Sequence, residues 1–284
     1  MSATLAFALG AMLFFGLGDL VYKRGAAAGA LPHHFLMVQT WVFSVCVTLY
    51  AVLTGSLRFV TGSLWGGVAG LFVLVGFYNF AHSLRSGSIS INAPIFRLSF
   101  VLTAALAIAL LGEPLTAFKI AGVALALTAA WLLLGARGPG GGEPPETRSA
   151  LLRVVVATVF VGTGNFVYTL GLRAGATPGS IIVTQAACVV TMATLFAGVR
   201  DRGIRPSRPA LRYAPLAAVV LALGFAFMVE GMARGQASIV VPIAQMGFVA
   251  TALLGFLFLG EPFTARKGAG IAAAVVALAS LAHG

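Results

Sequence analysis

An internal repeat limits the folds available to this chain more than any other feature of its sequence. Residues 86–116, SGSISINAPIFRLSFVLTAALAIALLGEPLT, return 148 positions later as residues 234–264, RGQASIVVPIAQMGFVATALLGFLFLGEPFT. Both copies carry a proline near the start and close with Gly-Glu-Pro and a threonine. Between these marks lies an apolar run about one bilayer long. The repeated unit is therefore a membrane-spanning one, and the chain is a duplication.

The repeat also covers the first helix of each half. GLGDLVYKRGAAAGALP, residues 16–32, matches GTGNFVYTLGLRAGATP, residues 162–178, at an offset of 146. Several polar residues have an equivalent in the other half, and a difference within such a pair breaks the symmetry of the two halves. These equivalent pairs are Asp19 and Asn165, Tyr22 and Tyr168, Gln39 and Gln185, His82 and Glu230, and Arg97 and Gln245.

The composition places the chain in lipid. Of 284 residues, 60% are hydrophobic and 9% are charged, whereas soluble domains carry about 25% charged residues. The formal charge of +11 does not indicate a nucleic-acid partner, because the basic residues lie in short stretches between apolar runs and are not interleaved with aromatic residues. Cys46 and Cys188 each lie inside an apolar run. They are best read as small hydrophobic residues, neither a disulfide scaffold nor metal ligands.

Ten membrane spans are predicted, five in each repeat. We read residues 3–22 as a retained first helix and not a signal peptide, because Lys23 and Arg24 follow the apolar run and do not precede it. The first repeat covers residues 1–136, a Gly/Pro-rich linker covers 137–149, and the second repeat covers 150–284. The spans are roughly 3–22, 34–54, 63–84, 89–111, 116–135, 150–171, 178–199, 212–232, 237–259 and 264–282.

An odd number of spans per repeat inverts the second copy in the bilayer. The predicted fold class is therefore an all-α integral membrane protein with ten transmembrane helices arranged as two inverted five-helix repeats. Inverted repeats are typical of transporters, whose substrate site lies near the pseudo-two-fold axis. Lys and Arg are concentrated in stretches on the side opposite the termini, and the positive-inside rule then places both termini outside.

The duplication, the ten spans and the pair GEPLT and GEPFT resemble the EamA family of the drug/metabolite transporter superfamily. The resemblance covers nearly the whole chain. It implies a central cavity lined by spans 1, 3, 4, 6, 8 and 9, and carriage of amino acids, cofactors, purine-like compounds, nucleotide-sugars or organic cations, often against a proton gradient. Arg97, three residues after Pro94, departs from the usual motif of that family. This departure argues against a neutral or purely cationic substrate.

Charged residues inside predicted spans are functional candidates because a bilayer makes charge costly. Arg97 is either an anchor for an acidic substrate group or one side of a structural ion pair with Asp19 or Glu230. Glu230 and its equivalent His82 are candidates for the coupling proton or a substrate ammonium, or are solvated residues near a span end. Asp19 is a gate or proton site, or simply pairs with Lys23 one turn later.

Uncharged residues complete the candidate site. Asn79 and Tyr78 are pocket candidates because the second repeat carries different residues there, and an asymmetric substrate requires an asymmetric pocket. Candidate substrate contacts also include Gln245 and three aromatic residues, Phe96, Phe100 and Phe225. Pro94 and Pro242 each remove a backbone hydrogen bond early in a span and could form hinges. Gln39 and Gln185 are expected to join helices, and Glu113 and Glu261 to belong to turns or to close one side of a carrier.

These observations lead us to expect a secondary transporter, an exporter coupled to protons, that carries an amino acid or a related carboxylate. The alternative substrate is a cofactor, a nucleotide-type compound or a lipid-linked phosphate. A membrane enzyme or a non-transporting scaffold is the remaining alternative, but the sequence contains no His-Glu-x-x-His motif, Ser/Lys dyad or acidic metal motif. We expect no cofactor, a monomer or homodimer, and a location in the bacterial inner membrane.

Overall fold

The computed structural model describes residues 2–86, 92, 95–134, 148–259 and 264–284, and the elements assigned within them are helices. A short 3-10 turn, Thr61–Ser63, precedes the third α-helix. In chain order the α-helices are α1 (Ala3–Ala27), α2 (Pro32–Leu53), α3 (Leu64–Ser86), α4 (Ser99–Leu111), α5 (Ala117–Leu134), α6 (Arg148–Arg173), α7 (Pro178–Asp201), α8 (Arg208–Arg234), α9 (Ala237–Gln245), α10 (Gly247–Leu259) and α11 (Ala265–His283).

The helices have the length and composition that a membrane requires. Eight segments of the described chain are long and apolar enough to cross a bilayer, and they coincide with predicted spans 1–3 and 6–10. The fourth and fifth predicted spans correspond to shorter apolar helices, Ile95–Leu111 and Ala117–Leu133. The predicted all-α membrane fold with two repeats is thus confirmed, while the count of ten complete spans stays a prediction.

The helix ends gather at two opposite faces. At the face that we call the terminal face, α1 begins and α8 ends, and the Thr4 hydroxyl donates to the Arg234 carbonyl at 3.3 Å. At the other face, the linker face, α2 begins and α7 ends, and His34 contacts Asp201. Gly62 lies at the terminal face, because it lies between the end of α2 and the start of α3. Ala174, which directly follows α6, the first helix of the second repeat, lies against Gly62, so α6 ends at the terminal face. Since α1 begins and α6 ends at the same face, the second repeat is inverted.

The two repeats are interleaved. Most of the extensive helix contacts join one repeat to the other, and α2 and α3 of the first repeat barely touch each other. Successive contacts close a ring of helices in the order α1, α8, α2, α7, α3, α6, α4, then α9 with α10, and back to α1. The α5 and α11 helices pack mainly against each other outside this ring. The ring surrounds the region where a substrate site is expected.

The α1 helix crosses the start of α10 with backbone against backbone. A Cβ atom on Gly16 would lie 2.5 Å from the carbonyl oxygen of Gly247 and 2.6 Å from the Cβ of Ala250. The Thr251 hydroxyl donates to the Gly16 carbonyl at 3.0 Å. Only glycine permits this separation, as is common where membrane helices pack closely. The crossing fixes Asp19, three residues further along α1, close to the fourth and ninth spans.

The fourth and ninth spans are interrupted at equivalent positions. The Leu98 amide donates three residues back, to the Ile95 carbonyl at 3.0 Å, and the Met246 amide donates to the Ile243 carbonyl at 3.1 Å. The ninth span is consequently divided into α9 and α10. Interrupted helices at membrane depth are tolerated where the freed backbone groups find other partners. Here the freed Gln245 carbonyl accepts a hydrogen bond from a side chain of the fourth span.

Candidate functional site

Arg97 lies immediately before the interruption of the fourth span, where it contacts α1, α9 and α10. Its Nη2 donates to the Asp19 Oδ2 at 2.9 Å. Its Nη1 donates to the Gln245 backbone oxygen at 3.3 Å and to the Gln245 Oε1 at 3.4 Å. The guanidinium lies 5.6 Å from the centre of the Phe248 ring. Of the two ion-pair partners that the sequence offered for Arg97, the structure brings Asp19 to it and not Glu230.

Asp19 and Arg97 differ in their exposure. The Arg97 side chain is 13% exposed, whereas the Asp19 side chain is 41% exposed. The carboxylate is therefore the more accessible member of the pair. The side chain of Lys23, the other partner predicted for Asp19, lies outside the described part of the structure.

A cavity within the described part of the chain is lined by residues of α1, α2, α3, α7 and α8, and neither Asp19 nor Arg97 is one of them. Tyr22 contributes to its wall and follows Asp19 by three residues, so both side chains lie on one face of α1. The predicted lining spans 1, 3 and 8 are present, but spans 2 and 7 replace the expected spans 4, 6 and 9 in this wall. Apart from aliphatic side chains and one threonine, the lining consists of two amides and four aromatic residues: Gln39, Gln185, Tyr22, Phe43, Phe77 and Phe225.

The aromatic candidates have different positions. Phe225 lines the cavity and meets Phe43 edge to face, with ring centres 5.8 Å apart. Phe100 is completely buried in the core. Phe96 stacks on Phe80 with ring centres 4.0 Å apart, within a small apolar cluster against α6. Only Phe225 of the three predicted aromatic contacts is therefore brought to the cavity wall.

The pocket candidates on α3 face away from the cavity. The Asn79 Nδ2 donates to the Val75 carbonyl at 2.9 Å, and its Oδ1 accepts from Arg153 at 3.3 Å. The Tyr78 ring meets Phe196 edge to face at 5.0 Å, and the His82 ring lies 4.7 Å from Tyr78. Successive residues of a helix point about 100° apart. Phe77, the preceding residue, is the one that lines the cavity.

Glu230 belongs to the terminal face. Its carboxylate accepts hydrogen bonds from the Tyr50 hydroxyl and from the guanidinium of Arg234, one turn later on α8. Arg234 in turn lies over the Phe7 ring, 4.6 Å from its centre. The structure thus places Glu230 in an ion pair that joins α8 and α2, with α1 alongside.

The first Gly-Glu-Pro turn connects the two repeats at the terminal face. Gly112 ends α4 in the left-handed region, with φ of 67°, a conformation that glycine adopts at little cost. The buried Glu113 carboxylate then accepts from the backbone amides of Ala237 and Ser238 at 3.0 and 2.9 Å. These amides open α9, so a carboxylate of one repeat caps a helix of the other. Glu113 was predicted to belong to a turn or to close one side of the carrier, and the structure shows it as a cap between the two repeats. Glu261 lies outside the described residues.

Two proline hinges were predicted. Pro242 lies inside α9, four residues before the interruption at Met246. Pro94 lies outside the described residues. Lys119, which the sequence did not single out, donates to the Pro114 carbonyl at 2.7 Å and also bonds the Gln236 side chain. This second bond again connects the first turn to the start of α9.

A polar cluster at the linker face was not predicted from the sequence. Asp201 Oδ2 lies 3.0 Å from the His33 Nε2 and 2.6 Å from the His34 Nε2. The Ser207 amide donates to the His34 Nδ1 at 3.2 Å, so the neutral ring carries its proton on Nε2 and donates to Asp201. The cluster could be suspected only from the adjacent histidines at the start of a span. It joins α2, α7 and the start of α8 by hydrogen bonds.

Comparison with known proteins agrees with this architecture. The model of the EamA-like transporter family matches residues 2–135 and 148–282, which are the two repeats. An uncharacterized protein of Methanocaldococcus jannaschii is 25% identical over 130 residues, which are 46% of this chain and 93% of that protein. That relative is therefore about as long as one repeat. A crystal structure of a protein that is 19% identical superposes with a TM-score of 0.81, covering 99% of this chain and 96% of the other.

Proposed function

This chain belongs to the EamA-like transporter family, and from that premise we propose that it exports a small metabolite bearing an acidic group, an amino acid or a related carboxylate. The observation that carries the proposal is the ion pair of Arg97 and Asp19 at 2.9 Å, next to the interruption of the fourth span and one turn along α1 from Tyr22 of the cavity wall. A guanidinium binds carboxylates through a planar pair of donors and keeps its charge at any physiological pH. An arginine at this depth matches a substrate that brings a negative charge.

In this proposal the substrate separates Arg97 from Asp19 and forms ion pairs with them instead. The substrate carboxylate takes the place of Asp19 on Arg97, and a substrate ammonium pairs with the Asp19 carboxylate. Because Asp19 is the more exposed partner, it moves away from Arg97 with less rearrangement than the guanidinium would need. An amino acid would leave the number of charges in the site balanced, which reduces the cost of entering a region of low dielectric.

Asp19 is also our candidate for proton coupling. A substrate with no ammonium group leaves the displaced Asp19 unpaired, and an unpaired carboxylate away from water takes up a proton more readily. Glu230 is less suitable, because its carboxylate is already bound by Arg234 and Tyr50. In each cycle, Asp19 would take up one proton when such a substrate displaces it from Arg97, and would release that proton when it pairs with Arg97 again.

Alternating access follows from the inverted repeats. In the structure, Glu113 and Lys119 of the first repeat bind the start of α9 and join the helices at the terminal face. The interruptions at Leu98 and Met246 divide the fourth and ninth spans beside Arg97. We propose that the spans bend at these points while the repeats exchange conformations, so that the site faces the two sides in turn.

A thermal-shift screen tests the proposal. The purified protein is heated with amino acids, organic acids, phosphate esters or organic cations, because a ligand that binds the folded state raises the melting temperature. Arg97→Ala is the test variant. Arg173→Ala is its matched control, since Arg173 donates to the Leu111 carbonyl, away from the cavity. A carboxylate should stabilise the wild type and the control but not Arg97→Ala, and should then be exchanged by the protein in liposomes.

Other outcomes decide between the alternatives. Stabilisation by phosphate esters alone would replace the carboxylate by a phosphate compound as the substrate. Stabilisation by cations alone, or an equal response of Arg97→Ala and the wild type, would contradict the anchor role of Arg97. Absence of exchange of any stabilising ligand in liposomes would contradict carriage itself.

A further inference from the structure

The two repeats carry the same tyrosine and glutamine but use them differently. In the first repeat the Tyr22 hydroxyl donates to the Gln39 Oε1. This bond joins α1 to α2 at the cavity wall, where both residues contribute to the lining. The equivalent residues of the second repeat are Tyr168 on α6 and Gln185 on α7.

The equivalent bond is absent from the second repeat. Tyr168 is completely buried and Gln185 is 4% exposed. Neither the Tyr168 hydroxyl nor the Gln185 Oε1 has a hydrogen-bond partner among the described residues. Buried polar atoms without partners are rare in native structures, because each loses its bonds to water without replacing them. Their presence here requires an explanation.

The neighbouring equivalent pair shows the same difference. Asp19 on α1 is paired with Arg97, whereas the Nδ2 of Asn165, its equivalent on α6, is buried and has no partner in the described part of the chain. Polar groups that α1 satisfies are thus left open on α6. For Tyr168 and Gln185 the residue types are unchanged, so the difference arises from the arrangement of the helices and not from the side chains.

We infer that Tyr22 and Tyr168 are positioning residues that hold the two cavity glutamines in turn. The Tyr22–Gln39 bond belongs to the arrangement described above, and the Tyr168–Gln185 bond belongs to the opposite arrangement, in which the repeats have exchanged conformations. Each arrangement frees one glutamine at the cavity wall, and in this structure it is Gln185. The inference rests on the proposed alternating access, but not on the identity of the substrate.

Two single variants, each lacking the hydroxyl of one of these tyrosines, have opposite expected effects. Tyr22→Phe breaks a bond of the present arrangement and should lower its melting temperature by about 2 °C or more. Tyr168→Phe removes a buried hydroxyl that has no partner in this arrangement, and it should leave the melting temperature unchanged or raise it. Each variant is the matched control of the other. A comparable decrease in both would overturn the inference, because it would mean that both hydroxyls are bonded in the same arrangement.

A second readout measures the arrangement itself. Ser238 at the terminal face is 1% exposed, so Ser238→Cys, in a chain with Cys46→Ala and Cys188→Ala, reports opening of that face to a polar maleimide. Tyr22→Phe should increase the labelling rate by about 2- to 10-fold, the range that corresponds to one hydrogen bond. Tyr168→Phe should decrease it. Equal rates in the two variants would refute the alternating role, whatever their stability.

Failure of this inference can be distinguished from failure of the proposed function. Suppose that no carboxylate stabilises the protein in a way that depends on Arg97, but that the two tyrosine variants change the labelling rate in opposite directions. The alternating pair then stands and the proposed substrate is wrong. If a carboxylate binds through Arg97 while both variants change labelling in the same direction, the proposed substrate stands and the alternating pair is wrong.

Discussion

Arg97 and Gln245 occupy the same position in the two repeats, and their side chains touch each other. The Arg97 Nη1 lies 3.4 Å from the Gln245 Oε1 and 3.3 Å from the Gln245 backbone oxygen. Residues related by a two-fold axis can meet only at the axis itself. The contact therefore locates the pseudo-two-fold axis of the molecule at Arg97, where the predicted substrate site of an inverted-repeat carrier lies.

The ion pair of Arg97 and Asp19 should contribute to stability as well as to binding. Arg97→Met leaves the Asp19 carboxylate without its partner and should lower the free energy of unfolding by about 1–3 kcal/mol, less than for a fully buried pair because Asp19 is partly exposed. Adding Asp19→Asn should recover part of the loss. Denaturation of the two single variants and the double variant gives the coupling energy, and additive losses would show that the two side chains do not interact.

The cap that Glu113 provides should hold the terminal face together. Glu113→Ala removes the acceptor of two buried backbone amides, those of Ala237 and Ser238, and should destabilise the protein by about 1–3 kcal/mol. Glu113→Gln retains an acceptor oxygen and should cost less. Thermal melting of the two variants checks the order. A Glu113→Ala protein as stable as the wild type would show that these amides find other partners.

The glycine crossing should not tolerate a methyl group. Gly16→Ala places a Cβ 2.5 Å from the Gly247 carbonyl oxygen, so α1 and α10 must separate, at a cost of about 1–3 kcal/mol. Gly203→Ala is the control, because a Cβ there meets no atom of the described chain within 4 Å. Melting temperatures in the same detergent should fall for Gly16→Ala only. Equal values would contradict the close crossing.

The cluster at the linker face should respond to loss of its carboxylate. Asp201→Ala leaves His33 and His34 without their shared acceptor and should lower the free energy of unfolding by about 1–2 kcal/mol. The control is Arg202→Ala, one residue later, outside the cluster. Unfolding of both variants by denaturant, with and without added Zn²⁺, distinguishes hydrogen bonding from metal binding. A wild type stabilised by Zn²⁺, with Asp201→Ala insensitive to it, would identify the cluster as a metal site instead.

The duplication could be predicted because the two halves share matching residues. The membrane helices could be predicted because a helix that crosses a bilayer needs an apolar run as long as the bilayer is thick. Arg97 could be identified as central because a charge at mid-span is costly and therefore informative. For the ion-pair partner of Arg97, the sequence left two candidates, Asp19 and Glu230. The choice depends on the crossing of α1 over α10 at Gly16 and Gly247, which spacing along the chain does not reveal.

Two parts of the site could not be derived from sequence. Asn79 and Tyr78 were selected for their asymmetry, but which side of α3 faces the cavity depends on its packing against α6 and α7. The cluster of His33, His34 and Asp201 joins residues separated by more than 160 positions. It forms because α2 packs against α7, and neither helix shows this in its own sequence.

The interleaving of the two repeats has a consequence for how the protein is made. The extensive contacts of α1, α2, α3 and α5 are with helices of the second repeat, so the first five spans have few partners when they leave the ribosome. Asp19 and Arg97 both belong to the first half, but the glycine crossing that aligns them needs Gly247. Insertion into the bilayer and assembly are therefore separate events, and the newly inserted first half must persist in the membrane until the second half has been synthesised.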